Sequence, residues 1–426
     1  MNIFNKIKFK GDIGIWWIMI GLSLVSIVAV YSSSAGVGSP WFYLGKQVLG
    51  IAVGLALAYL TSYIPSSVLR GSAPIILLIS IVLMILLLKY GTLKNDARRE
   101  LWHFRPVEFV KIGLLIFTAR MLEIYQTLTK NKRNYCLVLA PVIVVCVLIF
   151  FSSASASLIL AASCFTMMCV AGVRRRHLLV TAVTASGLLV TAVVVTAFVL
   201  NYNTAVYGAK DQREGLKSMT LKMETNIRKV RRLPTAAGRF GLLTKPKNSI
   251  VSDSKTNQQQ KNTQKYKKYE QADYARLAIA SSGPIGKGVG QSTFRYHLRE
   301  PFSDFIFAII IEEWGIIPTI LLVMFPFFFL LPFRVGVIIN KSTTYFPTFL
   351  VIGITMQITL QALVHMGVST GLFVVTGQNL PLVSQGFSNV CSTCIMLGIL
   401  LSISREVRTK SQAQVESISI ENASNI

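Results

Sequence analysis

The apolar stretches of this sequence carry few ionisable residues. Each one is a candidate for chemistry, because a charge inside a membrane costs from about 2.5 kcal/mol upwards. Glu108 and Lys111 are three residues apart. On a helix that spacing puts them on one face and within pairing distance. Such a pair either locks helix packing or serves a site, and the two roles are compatible. Asp304 opens a long apolar run. It is placed to accept a proton or to cap the helix that follows. Glu312 and Glu313 come eight and nine residues later, roughly 12 Å or two to three turns along a helix. They read first as members of a structural network. Gly283, Gly286, Gly288 and Gly290 surround Lys287. Backbone N–H groups in such a run can cradle phosphate oxygens, with the lysine adding charge; a tight turn that binds nothing has the same composition.

The elements that must position these residues are helices in a membrane. The chain has 426 residues, 52% hydrophobic and only 14% charged, against about a quarter charged in a soluble domain. A spanning helix needs about 20 apolar residues. The expected class is therefore an all-α polytopic membrane protein with about ten spans, at 13–34, 44–64, 73–90, 106–124, 135–152, 155–173, 177–200, 303–332, 345–368 and 382–404. The first span is too long for a cleavable signal peptide and reads as an uncleaved helix. Lys and Arg in short loops orient the bundle. Lys6, Lys8, Lys10, Lys130, Lys132, Arg133, Arg174–Arg176, Arg334, Lys341, Arg405, Arg408 and Lys410 all fall on one side, which is then the cytoplasm. Both termini lie there: residues 1–12 precede the membrane domain at 13–407, and a polar tail occupies 408–426. One short loop, 89–105, is basic on the opposite side and invites an anionic partner. A long outer loop, 201–302, lies between helices 7 and 8 and holds twenty Lys or Arg against seven Asp or Glu. Its position outside the cell excludes nucleic acid as a partner. Arg228–Arg232 within it could meet phosphate or anionic headgroups. The six cysteines sit in apolar stretches and read as small core residues.

Three segments carry a family resemblance. The first runs Gln271-Ala-Asp-Tyr-Ala-Arg-Leu-Ala-Ile-Ala-Ser-Ser-Gly-Pro-Ile-Gly-Lys-Gly-Val-Gly-Gln-Ser292 and then Arg299-Glu-Pro-Phe-Ser-Asp-Phe-Ile-Phe-Ala-Ile-Ile-Ile-Glu-Glu-Trp-Gly315. The second is Arg105-Pro-Val-Glu-Phe-Val-Lys111. The third includes Gly377-Gln-Asn-Leu-Pro-Leu-Val-Ser-Gln-Gly386 and Leu400-Leu-Ser-Ile-Ser-Arg405. In this order they resemble the signature of the SEDS family (shape, elongation, division and sporulation), which includes the FtsW, RodA and SpoVE proteins. The resemblance covers nearly all of 12–407 and weakens over 201–270. The chain departs from the family pattern at Arg105 and Val107, at Ser152–Ser157 (where the family carries an acidic residue), at Arg299 and Phe302, and at Phe387.

The resemblance implies a peptidoglycan glycosyltransferase that polymerises lipid II on the outer face of the bacterial inner membrane. Asp304 matches the family's catalytic Asp and is expected to act as general base. Lys111, Arg299 and Arg105 are expected to stabilise the leaving pyrophosphate, with Glu108 and Lys287 completing the substrate site and a divalent cation, Mg or Mn, possible. The Gly377–Pro381 run looks more like the division type than the elongation type, placing the protein at the septum. The implied partners are a class B penicillin-binding transpeptidase and other division-complex membrane proteins. A lipid II flippase, an elongation-type polymerase and a non-catalytic scaffold of the division complex are the competing readings.

Overall fold

The structure is a computed structural model that describes residues 11–36, 39–94, 97–101, 104–127, 132–174, 176–179, 181 and 271–424. The expected span 177–200 and the 201–270 part of the long loop therefore lie almost wholly outside the described residues. The helices are α1 (Ile13–Ser34), α2 (Pro40–Thr61), α3 (Ser66–Tyr90), α4 (Pro106–Thr127), α5 (Lys132–Phe150), α6 (Ala154–Val170), α7 (Gln271–Ala280), α8 (Ile306–Trp314), α9 (Ile316–Asn340), α10 (Tyr345–Thr370) and α11 (Phe387–Ser424). The described residues are overwhelmingly helical, as expected for an all-α protein, with one short addition. An antiparallel hairpin of β1 (Thr92–Lys94) and β2 (Ala97–Glu100) fills part of the basic 89–105 loop.

Among the described residues, α1, α2, α3, α9, α10 and the Phe387–Thr409 part of α11 are long and apolar enough to cross a membrane. Local chemistry sets the element ends. Asp12 caps α1, accepting from the Gly14 amide at 2.7 Å. Pro40 starts α2, where a missing N–H costs nothing. Gly371 ends α10 at φ +78°, a left-handed conformation that glycine adopts without strain. Beyond its span, α11 carries the polar tail onward as helix to Ser424.

Packing is uneven across the bundle. In the spanning part of α11, 83% of the apolar window is buried, against 22% in α9. So α11 is central and α9 peripheral, with Ile317, Leu321, Phe329 and Phe333 exposed along it. Met19, Leu114, Leu115, Leu350, Ile354, Leu400 and Leu401 belong to the main core. A smaller cluster joins Ala275 and Ala278 of α7 to Leu298, Phe305, Ile309 and Val368. The end of the 201–302 loop is thus folded, and it braces the start of α8. The expectation of one helix over 303–332 is corrected: the chain breaks at Gly315, φ +87°. The break is steric. A Cβ on Gly286 would lie 2.4 Å from the Glu313 carbonyl oxygen, and one on Gly315 would lie 2.4 Å from the Gly286 nitrogen. The two backbones touch because neither residue has a side chain. Past the break, α9 takes wide turns at Ile320–Met324 and Pro326–Leu330, the second beginning at a proline that cannot supply a helical N–H.

Candidate active site

Three segments remote in sequence meet at the end of the bundle where α4, α8 and α11 begin. Asp304 lies in the turn before α8. The amides of Ser303 and Asp304 both donate to the Glu300 carbonyl, at 3.0 and 3.1 Å. Glu300 is held at φ +53°. A non-glycine residue persists there only where its surroundings over-determine it. The helix starts at Ile306, with Phe305 as its cap residue, so Asp304 stands one position ahead of the cap. It is half-buried, and Ser303 Oγ lies 3.4 Å from its Oδ1.

The turn rests on the loop between α10 and α11. Ser384 Oγ donates to the Ser303 carbonyl at 2.8 Å and accepts from the Leu380 amide at 2.8 Å. The Gln385 amide donates to the Phe302 carbonyl at 3.0 Å. Leu382 in this loop is also left-handed, φ +59°. These bonds explain why α11 starts at Phe387 rather than near 382: the preceding polar groups are bonded to the turn.

Asn379 is the junction. Its Oδ1 accepts from Ser303 Oγ at 3.3 Å and from Arg105 Nη1 at 3.4 Å, and its Nδ2 donates to the Gln385 carbonyl at 3.2 Å. Its own carbonyl accepts from Gln361 Nε2 at 3.0 Å. Gln361 also donates to Asn389 Oδ1 at 3.1 Å and accepts from Lys111 Nζ at 2.9 Å. Lys111 is 2.6 Å from Glu108 Oε2. One continuous polar chain therefore runs from the Asp304 turn to the Glu108–Lys111 pair.

The expected site residues separate on this geometry. Asp304, Arg105, Glu108 and Lys111 come together. Arg105 is 26% exposed along its side chain, with Nε 3.4 Å from Glu100 Oε1. Lys111 has no exposed surface. Expected to contact an anionic group, it is instead sealed between Glu108 and Gln361. Arg299, just ahead of the turn, is exposed. Lys287 belongs to a different cluster. Its Nζ lies 2.7 Å from Glu312 Oε1, 2.8 Å from Ser281 Oγ and 3.3 Å from Thr293 Oγ1. The glycine run folds back on the α8–α9 break, and its amides at Lys287 and Gly288 bond the carbonyls of Glu312 and Glu313, at 3.0 and 2.8 Å. Those two amides are therefore satisfied inside the protein.

Other polar residues escaped the reading of charge and motif. Gln357, Gln361 and His365 are spaced by four along α10, hence on one face, and all are buried. His365 Nδ1 is 2.7 Å from the Gln378 carbonyl, which can only accept, so Nδ1 carries the hydrogen. Gln378 Nε2 in turn donates to Ser153 and Ser155 Oγ at 3.1 and 2.9 Å. The serine-rich α5–α6 junction thus holds the same loop. Of the cysteines, Cys164, Cys391 and Cys394 are buried as expected, whereas Cys136 and Cys169 are exposed.

The donor set also bears on a divalent cation. Among the described residues no group of three His, Cys, Asp or Glu could hold a metal ion. Glu108 is paired with Lys111 and Glu100 with Arg105. These residues do not build a resident metal site.

Residues 12–214 and 255–409 match the cell cycle protein family of FtsW, RodA and SpoVE. A probable peptidoglycan glycosyltransferase FtsW of Hydrogenovibrio crunogenus is 26% identical over 92% of this chain and 89% of its own length. Stage V sporulation protein E of Bacillus subtilis is 23% identical over 94% and 99%. Among solved structures, a peptidoglycan synthase complex matches at TM-score 0.66 and 22% identity, over 93% of this chain and 98% of that one. The rod shape determining protein RodA of Thermus thermophilus matches at TM-score 0.61 and 20% identity, over 94% and 98%. With the helical fold, the apolar spans and the family match in agreement, the chain is a multi-pass membrane protein that belongs to the FtsW/RodA/SpoVE family of cell cycle proteins.

Proposed function

We propose that this protein is a peptidoglycan glycosyltransferase that polymerises lipid II at the outer face of the bacterial inner membrane, with Asp304 as general base. The observation that carries the reading is the half-buried Asp304 carboxylate in a fixed turn, tied through Ser303 and Asn379 to the Arg105 guanidinium. The names carried by similar proteins support the substrate class. The ten-span arrangement supports the location: Arg70, Arg120, Arg334 and Arg405 gather at the end of the bundle away from Asp304. Taken as the cytoplasmic end by the positive-inside rule, it supports an outward-facing Asp304.

In the proposed reaction the 4-hydroxyl oxygen of the acceptor sugar attacks the anomeric carbon of the donor. The bond from that carbon to the lipid pyrophosphate breaks, and the hydroxyl proton passes to Asp304. In this reading Arg105 and Arg299 stabilise the charge on the departing pyrophosphate. Glu108 and the buried Lys111 act from behind, as a pair that orients Gln361. A Mg or Mn ion, if used, would arrive on the pyrophosphate, a usual mode for Mg; no step here passes through it.

The division-type assignment, and a septal location, draw on Gly377–Pro381 and on the FtsW names of several relatives. The proposed partners are a class B penicillin-binding transpeptidase and other division-complex membrane proteins. A similar solved structure is of a complex that coordinates polymerization and crosslinking, which supports the first. The test is labelled lipid II incubated with the purified protein and its transpeptidase. Asp304→Asn is expected to lower the rate by about 10²–10⁴. Lipid transport without glycan product, unaffected by Asp304→Asn, would instead identify a flippase.

A further inference from the structure

We infer that Asn379 is the positioning residue of this site, fixing the Arg105 guanidinium relative to the Ser303–Asp304 turn. The inference rests on the proposed polymerase reading and adds an uncharged residue to it. Two donors from different segments, Arg105 Nη1 and Ser303 Oγ, converge on the single acceptor Asn379 Oδ1, at 3.4 and 3.3 Å. An amide oxygen has two lone pairs and can serve both. The amide cannot rotate away, because Nδ2 is bound to the Gln385 carbonyl at 3.2 Å and the residue is 4% exposed.

A second observation comes from Gly386. A Cβ there would fall 2.7 Å from Asn379 Nδ2, so the loop leaves just enough room for the amide plane. Arg105 is held on its other edge by Glu100, 3.4 Å from Nε. Without Asn379, the guanidinium would keep Glu100 alone and lose its link to the turn that carries the base. The cation and the carboxylate would then no longer be placed against each other.

The test uses the full-length protein with its transpeptidase and labelled lipid II. Asn379→Leu is expected to lower kcat by about 10²-fold, the effect of a small misplacement at a reacting centre, and to leave KM unchanged. Asn379→Asp keeps the shared acceptor but sets a carboxylate oxygen against the Gln385 carbonyl, so it should restore at most part of the loss. In the Arg105→Ala background, Asn379→Leu should add nothing, because the two act as a unit. Parental kcat in Asn379→Leu, or multiplying losses in the double variant, would each overturn the inference. Should Asn379→Leu not fold, Gly386→Ala presses on the same amide. Its loss of kcat should vanish in the Arg105→Ala background, and an additive loss would refute the assignment. Asp304→Asn run in parallel separates the failures. If it abolishes product while Asn379→Leu runs at the parental rate, only the Asn379 assignment falls; if it polymerises normally, the general-base role of Asp304 falls; if the parental protein itself makes no product, the polymerase reading falls.

Discussion

Two charged clusters sit along the α8 region, and they are built in opposite ways. Around Glu312 and Glu313 both carboxylates are met inside the protein. Glu312 takes Lys287 Nζ, Ser292 Oγ, and both the amide and hydroxyl of Thr293. Glu313 Oε1 takes Ser32 Oγ at 2.5 Å, with Arg295 Nη1 at 4.0 Å. Both carboxylates are buried. Around Asp304 the residues behind it are bonded just as fully, through Asn379, Gln361 and Ser384, but the front groups remain half-buried or exposed. The contrast teaches that density of charge does not mark a site. A cluster whose carboxylates are all met inside the protein is costly to break but has little left for a ligand. Here the supporting groups are bonded while Asp304 and Arg105 stay half-buried and Arg299 exposed, which leaves part of each within reach of a ligand.

The comparison can be broken at several points. Lys111 is assigned to the supporting groups. Lys111→Met should therefore cost about 3 kcal/mol, the low end for breaking a buried pair, because it leaves the half-buried Glu108 with Ser392 Oγ alone. Pairing it with Glu108→Leu should recover much of that, read as Tm in detergent. If the double variant is stable yet inactive, Lys111 itself touches substrate. Glu312→Ala should destabilise by about 3 kcal/mol, near the low end of that range because Lys287 is 27% exposed, with little change in rate per folded molecule. A collapse of rate at intact Tm would move the closed cluster into the chemistry. Gly286→Ala drives a Cβ against the Glu313 carbonyl and should cost about 1–3 kcal/mol. An unchanged Tm would show that the α8–α9 break does not depend on this contact. The smallest effect is expected at Arg299, an exposed cation. Arg299→Ala should raise KM by roughly two- to five-fold, the range of a surface charge pair. A loss in kcat instead would place it beside the reacting atoms.

Much of this division was legible in the residues themselves. The span 13–34 matches α1 residue for residue, because Asp12 and the small residues after Ser34 bound it sharply. Glu108, Lys111, Arg105 and Asp304 do come together, since rare charges in apolar stretches stand out. The neutral amides did not stand out. Asn379, Gln361 and Asn389 carry no charge, and only the four-residue spacing of Gln357, Gln361 and His365 signals a polar stripe on α10. Lys287 misled because a glycine-rich loop serves a backbone crossing as readily as a phosphate; only the partner at Gly315, far along the chain, decides between them. The helix break was likewise invisible to hydropathy, which stays high on both sides of it.

The most direct test sets Asp304→Asn beside Glu312→Ala, each purified with the transpeptidase, scored for glycan product per folded molecule and for Tm. The account predicts that Asp304→Asn loses product at parental Tm, while Glu312→Ala loses Tm and keeps its rate. Product made at the parental rate by Asp304→Asn would contradict it.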